Sequence, residues 1–220
     1  MSFKGVVRAQ CPKGCEESDY EVWSFVRGDQ SEDLRLGVLA GDLNLARCAV
    51  CGQVFFPDCT LVYYDLRVAL IAFVFPEAYR GDEVRWRAKM KEDYEQMRAS
   101  LGKELQLLGE PLVCFGLSEL SAVLRSDDDL EDEVLVARYA AEALGYRMRP
   151  VQRDFARARG LPRMLPSKEW KEGAPFDLPA LLKALRALLK SNGKLKGYRS
   201  WLKELESAKT PPPLPPAGKR

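Results

Sequence analysis

Cys11-Pro-Lys-Gly-Cys15 and Cys48-Ala-Val-Cys51-Gly52 stand near the start of a 220-residue chain, with 32 residues between them. Each pair closes a tight turn that presents two sulfurs, and two such turns make a tetrahedral S₄ site of the kind that holds zinc. The chain contains no histidine, so a metal site built here is all-thiolate. Four thiolates fill the shell and leave no position for water or substrate. The expectation is one structural Zn²⁺ on Cys11, Cys15, Cys48 and Cys51. A redox-active dithiol, or small buried thiols with no metal, are the other readings of the same pairs. Cys59, just after Pro57-Asp58, is a candidate substitute ligand. Cys114 lies in an apolar run and reads as core.

Composition limits the rest. With 46% hydrophobic and 30% charged residues, the chain has the make-up of a globular protein with one ordinary core or two small ones. Its longest apolar runs, such as Val68–Phe75, fall short of the ~20 residues a membrane span needs. The start, MSFKGVVRAQ, has no apolar core of a secretory signal, so the expected compartment is the reducing cytoplasm, where closely spaced cysteines favour metal over disulfide. The net charge of +2 hides an asymmetry: residues 1–146 carry −10 and residues 147–220 carry +12. Oppositely charged halves can attract one another within one molecule, or the basic half can seek an anionic partner.

Outward from the cysteines, residues 20–27 put Val22, Ser24 and Val26 on one strand face and Glu21, Trp23 and Phe25 on the other, so the strand is expected to be covered on both sides. Residues 31–40 read as a short helix with Ser31 as N-cap and Glu32 and Asp33 in the first turn, ended by Gly41-Asp42. Gln53–Pro57, 61–66 and 68–75 read as strands, the last two joined by a turn near Asp65–Arg67. Pro76 ends this region and the period changes. Val84, Trp86, Met90, Tyr94, Met97, Leu101, Leu105 and Leu108 mark one long helix over 82–108. A strand over 111–117 follows, then a helix from Ser118 to Leu124 and another from Asp127 to Gly145. Prolines and glycines interrupt 147–176, which reads as irregular or briefly helical. Residues 178–190 and 194–207 form a helical hairpin, and the Pro-rich end over 210–220, with its Pro212-Pro-Leu-Pro215 stretch, reads as a solvated polyproline segment.

The fold class is therefore α+β. A zinc-ribbon-like β element over about 9–76 joins a helix–strand–helix portion in a first domain of 1–145, followed by a basic helical extension over 146–209 and the tail.

Four stretches in this order resemble one family: Cys11-Pro-Lys-Gly-Cys15; Gly41-Asp-Leu-Asn-Leu-Ala-Arg-Cys48-Ala-Val-Cys51-Gly52; Leu61-Val-Tyr-Tyr-Asp65; and Val68–Pro76, ending in Phe-Val-Phe-Pro. Together they resemble the CpXC domain, a small bacterial and archaeal domain named for its cysteine–proline motif. The acidic stretch Asp127–Glu133 looks like its far end, so the resemblance covers roughly 9–140. It implies a zinc-ribbon-like element joined to an α/β part, and no known catalytic activity. In one place the chain departs from the pattern: Gly14 occupies the slot of the second cysteine, and Cys15 follows one residue later. A C-x₃-C knuckle is within the spacing zinc sites use, and Gly14 supplies the backbone freedom the longer loop needs.

Catalytic sets are scarce. Without histidine there is no Ser-His or Cys-His dyad, and neither a Walker A nor a GxGxxG loop occurs. Asp127–Asp132 lacks EF-hand spacing and reads as helix capping. Trp23, Phe25, Phe55, Phe56, Tyr63 and Tyr64 lie in expected strands and read as core, though exposed aromatics can stack on bases. The leading expectation is a non-enzymatic, zinc-stabilised protein that binds another protein. A thiol–disulfide oxidoreductase and a nucleic-acid-binding protein are the rivals. For the last, Arg147, Arg149, Arg153, Arg157, Arg159 and Arg163 supply phosphate contacts, with Arg153, Arg157 and, less directly, Arg149 sharing a face if 149–159 is helical. The carboxylates of the acidic half are alternative partners for the same arginines.

Overall fold

A computed structural model describes residues 1–101, 110–168 and 174–214. It divides the chain into two compact units, Met1–Arg125 and Ser126–Arg220.

The first unit is organised by strands that are apolar on both sides. Phe3–Ala9 (β1) and Ser18–Arg27 (β2) pair antiparallel, and β2 runs parallel to Leu61–Asp65 (β5). Leu70–Phe75 (β6) is antiparallel to β5 and parallel to Leu112–Phe115 (β7), giving a mixed sheet of order β1-β2-β5-β6-β7. Side chains alternate across a strand, so Leu70, Ala72 and Val74 enter one core while Ile71, Phe73 and Phe75 enter the other. Helix Glu32–Ala40 (α1) and the start of Leu117–Ala143 (α3) cover the first face, through Val38, Leu120 and Leu124. Helix Glu83–Leu101 (α2) covers the second with Met90 and Tyr94. Every residue of β6 is buried, as expected of a central strand covered on both faces.

The Tyr-x-Asp motif locks the β5–β6 turn. Asp65 is 1% exposed and accepts hydrogen bonds from the Arg67 backbone N–H at 2.9 Å and guanidinium at 3.0 Å, and from the Tyr63 hydroxyl at 3.4 Å. Arg67 also donates to the Gly28 carbonyl at 2.6 Å, which ties the turn to the end of β2. A buried carboxylate held this way is paired and hydrogen-bonded, as burial of a charge requires.

The second knuckle sits on a separate two-stranded hairpin, Ala46–Arg47 (β3) with Val54–Phe55 (β4). The strand expected over Gln53–Pro57 is therefore shorter than its apolar content suggested. The strands between residues 9 and 76 do not close on themselves, since β6 takes β7 as its outer neighbour.

Several expectations are corrected. β1 was not anticipated, although Phe3-Lys-Gly-Val-Val-Arg-Ala carries strand-forming residues. Ser31 occupies the N-cap position of α1 with extended backbone, but its side chain makes no capping bond. The two helices expected on either side of Arg125-Ser126 are one, α3. No glycine or proline interrupts this stretch, and Asp127 and Glu131 turn to arginine partners instead of capping. The division between the two compact units falls inside this helix, at Arg125/Ser126. The expected extension of α2 to Leu108 falls on 102–109, outside the described residues.

In the second unit, Arg147–Pro150 (β8) and Met164–Ser167 (β9) form an antiparallel pair on either side of the short helix Arg153–Arg157 (α4). This is where an irregular segment was expected. A two-stranded ribbon leaves one edge of each strand open, so Pro150 and Pro166 need not supply a ladder donor. Leu178–Ser191 (α5) and Lys196–Ala208 (α6) form the expected hairpin, whose stripe of Leu181, Leu185, Leu188, Tyr198, Trp201 and Leu205 makes the unit's core. The Trp201 indole N–H donates to the Pro162 carbonyl at 2.7 Å. The tail is not wholly solvated. Pro212 is buried, Leu214 packs on this core, and the Gln152 N–H donates to the Pro213 carbonyl at 3.0 Å. Residues 215–220 lie outside the description. No helix among the described residues is long and apolar enough to cross a membrane.

The N-terminus of α6 is capped from another helix. Leu195 at the N-cap has no polar side chain, and Glu133 of α3 accepts from the Gly197 N–H at 2.8 Å and the Tyr198 N–H at 3.4 Å. Glu133→Ala should therefore destabilise the protein by ~1–2 kcal/mol, the usual cost of losing a cap, and Glu133→Gln by less. Urea unfolding followed by circular dichroism checks this; equal stability of Glu133→Ala and the parent would refute the cap.

Candidate metal centre

Each knuckle is a turn that the backbone closes before the sulfurs meet. In the first, between β1 and β2, the Gly14 N–H donates to the Cys11 carbonyl at 2.8 Å, and Gly14 has φ +77°. A Cβ at Gly14 would meet nothing within 4 Å, so glycine is favoured there by backbone conformation and not by space. This is the freedom that the longer C-x₃-C loop demands. In the second knuckle, at the tip of β3–β4, the Gly52 N–H donates to the Cys48 carbonyl at 2.9 Å and the Cys48 N–H to the Gln53 carbonyl at 2.8 Å, with Gly52 at φ +72°.

The two turns bring Cys11, Cys15, Cys48 and Cys51 together, with all four Sγ atoms within 4.8 Å of one another and Cys11 to Cys51 at 3.5 Å. The edge of a tetrahedron with Zn–S bonds of about 2.3 Å is about 3.8 Å, so the donor set fits a single ion. Cys11 and Cys48 are buried, Cys15 half-buried and Cys51 exposed. Cys59 lies outside the group, its sulfur accepting from Asn44 Nδ2 at 3.6 Å. Cys114 is buried in the sheet core, where burial pushes its thiol up to about 12.

The electrostatics are those of four sulfurs in search of a cation. Backbone N–H groups of Cys51 and Val50 point at the Cys48 sulfur and hold its thiol down at about 6. Cys15, facing Cys51 in a partly desolvated position, is pushed up to about 12. Thiolates this close repel one another, and a divalent cation reverses that balance by stabilising all four.

The apparatus that brings the knuckles together is the Gly-Asp-Leu-Asn run. Gly41 ends α1 in the left-handed region, and its N–H bonds the carbonyls of Gly37 and Val38. Leu43 is buried in the sheet core. Asn44, itself at φ +66°, accepts from the Trp23 N–H at 2.6 Å and donates to the Trp23 carbonyl at 2.9 Å. Its amide thus pairs with β2 as a strand residue would. Beneath the sulfurs, Tyr20 of β2 and Phe55 of β4 meet edge to face at 5.3 Å, and Phe55 shares a small core with Cys11 and Cys48. Burial first, then the neighbouring Cys48 and Cys11, raise the Tyr20 phenol, which places it against the cluster. Neither Asn44 nor Tyr20 stood out as a site residue in the sequence. The signal for Asn44 was the Gly-x-Leu-Asn run itself.

Residues 9–137 match the family described as CpXC protein. The chain belongs to the CpXC family. No curated protein and no solved structure matches it. The two motifs most specific to the CpXC resemblance, Gly-x-Leu-Asn and Tyr-x-Asp, thus have structural work of a defined kind: the first docks the second knuckle on β2, and the second locks the β5–β6 turn.

The other candidate residues are placed as follows. Of the six aromatics, Phe25, Phe55, Tyr63 and Tyr64 are buried, Trp23 is half-buried, and Phe56 is exposed, so they form no stacking platform. Asp127 and Glu131 pair with Arg157 and Arg163; mid-helix, they cap nothing. Arg159 pairs with Glu204 at 3.1 Å. Arg149 is buried over the Phe176 ring and donates to the Ala174 carbonyl. Arg153 is half-buried and Arg147 exposed. Because 147–150 is strand and only Arg153–Arg157 helical, the row of arginines expected over 149–159 does not form.

In reduced, metal-free protein, Cys48 should give a thiolate as pH rises through about 6, while Cys15 stays protonated to about 12. Thiolate absorbance near 240 nm, followed across pH, should show this step, and Cys48→Ser should remove it. A first step near the ordinary value of about 8.5 would contradict the hydrogen-bonded geometry.

Proposed function

We propose that the four cysteines hold one structural Zn²⁺, and that the protein is a non-enzymatic, zinc-stabilised module for binding another protein. The observation that carries this is the convergence of four sulfurs from two turns, each turn at the end of a hairpin. Cys11, Cys15, Cys48 and Cys51 would be the ligands. A bound Zn²⁺ would supply cross-linking of the two knuckles, and a full thiolate shell leaves no open position for chemistry. The hairpin needs such a link. With two residue pairs it is far below the size at which a ribbon stands alone.

What the metal would hold in place is an apolar surface. Ala46 and Phe55 face the sulfurs, which leaves Leu45, Arg47, Val54 and Phe56 on the outer face. Leu45, Val54 and Phe56 are 47%, 46% and 51% exposed, whereas an outer strand face is ordinarily polar. Phe56 continues into a cavity of about 670 Å³ in the same unit, lined also by Leu43, Leu61 and Leu117. Apolar anchors beside a pocket are what a protein interface is built on.

The redox alternative has one observation in its favour, the depressed Cys48 thiol, which is typical of reactive CxxC pairs. Against it, Cys48 is 3% exposed, and an attacking thiolate must be reached by its disulfide substrate.

Protein purified without chelator should contain one zinc per chain by elemental analysis, and Cys48→Ser with Cys51→Ser should abolish it. Removing the metal should open the knuckle region to protease between residues 41 and 60 while the five-stranded sheet stays folded, since binding in such sites is coupled to local folding. Absence of stoichiometric metal, or a reversible Cys48–Cys51 disulfide with an unchanged digestion pattern, would overturn the structural reading in favour of the redox one.

A further inference from the structure

The α5–α6 hairpin carries seven cations and only two acids, and the acids are spent. Glu204 pairs with Arg159 and Glu206 with Arg186. Lys183, Lys190, Lys194, Lys196, Arg199 and Lys203 are all exposed, and none has a carboxylate partner among the described residues. On α6, Lys196, Arg199 and Lys203 follow i, i+3, i+7 spacing and share one face; on α5, Lys183 and Lys190 do the same. The Arg186–Glu206 bond at 2.7 Å joins these two rows across the hairpin.

Two features set this surface apart from an ordinary solvated one. Lys194 and Lys196 stand at the positive end of α6, where cations are unfavourable; the helix's own first turn holds no acid, and the Glu133 carboxylate that caps it is taken up by the Gly197 and Tyr198 N–H groups. Broken local rules of this kind collect at functional sites. In addition, most of the arginine run that looked like the phosphate-binding element is held within the fold, Arg149 against Phe176 and Ala174, Arg157 on Asp127 and Arg163 on Glu131, and Arg159 takes Glu204 of the hairpin.

We infer that the outer face of the α5–α6 hairpin binds nucleic acid through its phosphate backbone, without sequence preference. The choice of partner follows from what the face lacks. Both helices bury their apolar stripe in the unit's core, and no large hydrophobic residue between 178 and 208 is exposed. A helix lying on a membrane needs an apolar face to insert. A protein interface needs aromatic or aliphatic anchors and is depleted in lysine. Phosphate-backbone binding needs neither, because its affinity rests on charge and counterion release. The dimensions agree as well: Lys196 to Lys203 spans about 10 Å along the helix, the rise of about three phosphates on one strand at 3.4 Å each. The inference is independent of the metal site.

The test is fluorescence anisotropy of the full chain with a labelled duplex DNA of about 20 base pairs and arbitrary sequence, titrated between about 50 and 200 mM salt. Binding is expected at the lower salt, weakening steeply with a log–log slope near −0.9 per phosphate contact. Changing Lys196→Gln, Arg199→Gln and Lys203→Gln together should make the slope shallower by about 2.7 and lower affinity at least tenfold, with circular dichroism and metal content unchanged. The same charge change on α2, Arg85→Gln with Lys89→Gln and Lys91→Gln, should leave affinity within about twofold. No binding at low salt, parental affinity in the α6 variant, or an equal loss in the α2 variant would each overturn the inference. Tighter binding to polyglutamate or to phosphatidylserine vesicles than to DNA would overturn it as well, in favour of an acidic protein or a membrane surface.

Discussion

Strands Leu61–Asp65 and Leu70–Phe75 are apolar on both faces, and the first unit is arranged by the need to keep water from both. A strand whose alternate residues all require burial must lie inside a sheet with a layer on each side. That requirement calls α1 and the start of α3 to one face and α2 to the other. It also places β1 at the edge, where its exposed Val6 costs little. Burying each such side chain is worth roughly 1.5–3 kcal/mol, and this central pair supplies a large share of the unit's core. The motif Asp65 then holds the turn between the two strands, so their register follows from a buried carboxylate as well as from hydrophobicity.

The cysteine centre depends on that sheet without belonging to its core. β1 and β2 carry the first knuckle between them, and Asn44 fastens the second to β2 through the backbone of Trp23. The sulfurs therefore meet because two turns hang from the same strand. Backbone N–H groups of Cys51 and Val50 hold the Cys48 thiol down, while the Cys51 side chain and desolvation push that of Cys15 up, so neighbouring thiols in one cluster lie on opposite sides of their ordinary value. A small core of Phe55 and Tyr20 under the cluster keeps two of the sulfurs away from water.

Charge in the second unit is largely a matter of pairing. Arg157 and Asp127 lie against each other with little exposure, a setting in which desolvation offsets the stronger attraction and loss of either partner leaves the other's charge buried and unpaired. Arg163 with Glu131 repeats the contact further along α3. The unit thus uses Arg149, Arg157 and Arg163 internally and leaves Lys183, Lys190, Lys194, Lys196 and Lys203 outside. This division suits the planar, multiply donating guanidinium and the strongly hydrated ammonium.

Much of this was legible in the residues alone. Cysteine spacing and the glycines beside it specify two knuckles, because a turn of that length needs a left-handed residue at a fixed offset. Continuous runs of β-forming residues at 61–75 and helical periodicity at 83–101 and 178–208 specify their elements, because burial follows the repeat of the backbone. What only the tertiary structure decided are the cases where a local signal had a distant competitor. Ser126-Asp127 looks like a helix start, but arginines at 157 and 163 draw the acids of this region outward and the helix runs through. Pro150 and Pro166 look like strand breakers, but a two-stranded ribbon has open edges to receive them. Asn44 and Tyr20 owe their places at the cysteine cluster to residues far along the chain. Which of the basic residues face solvent was likewise settled by which carboxylates the fold brings within reach, a long-range outcome that no local pattern encodes.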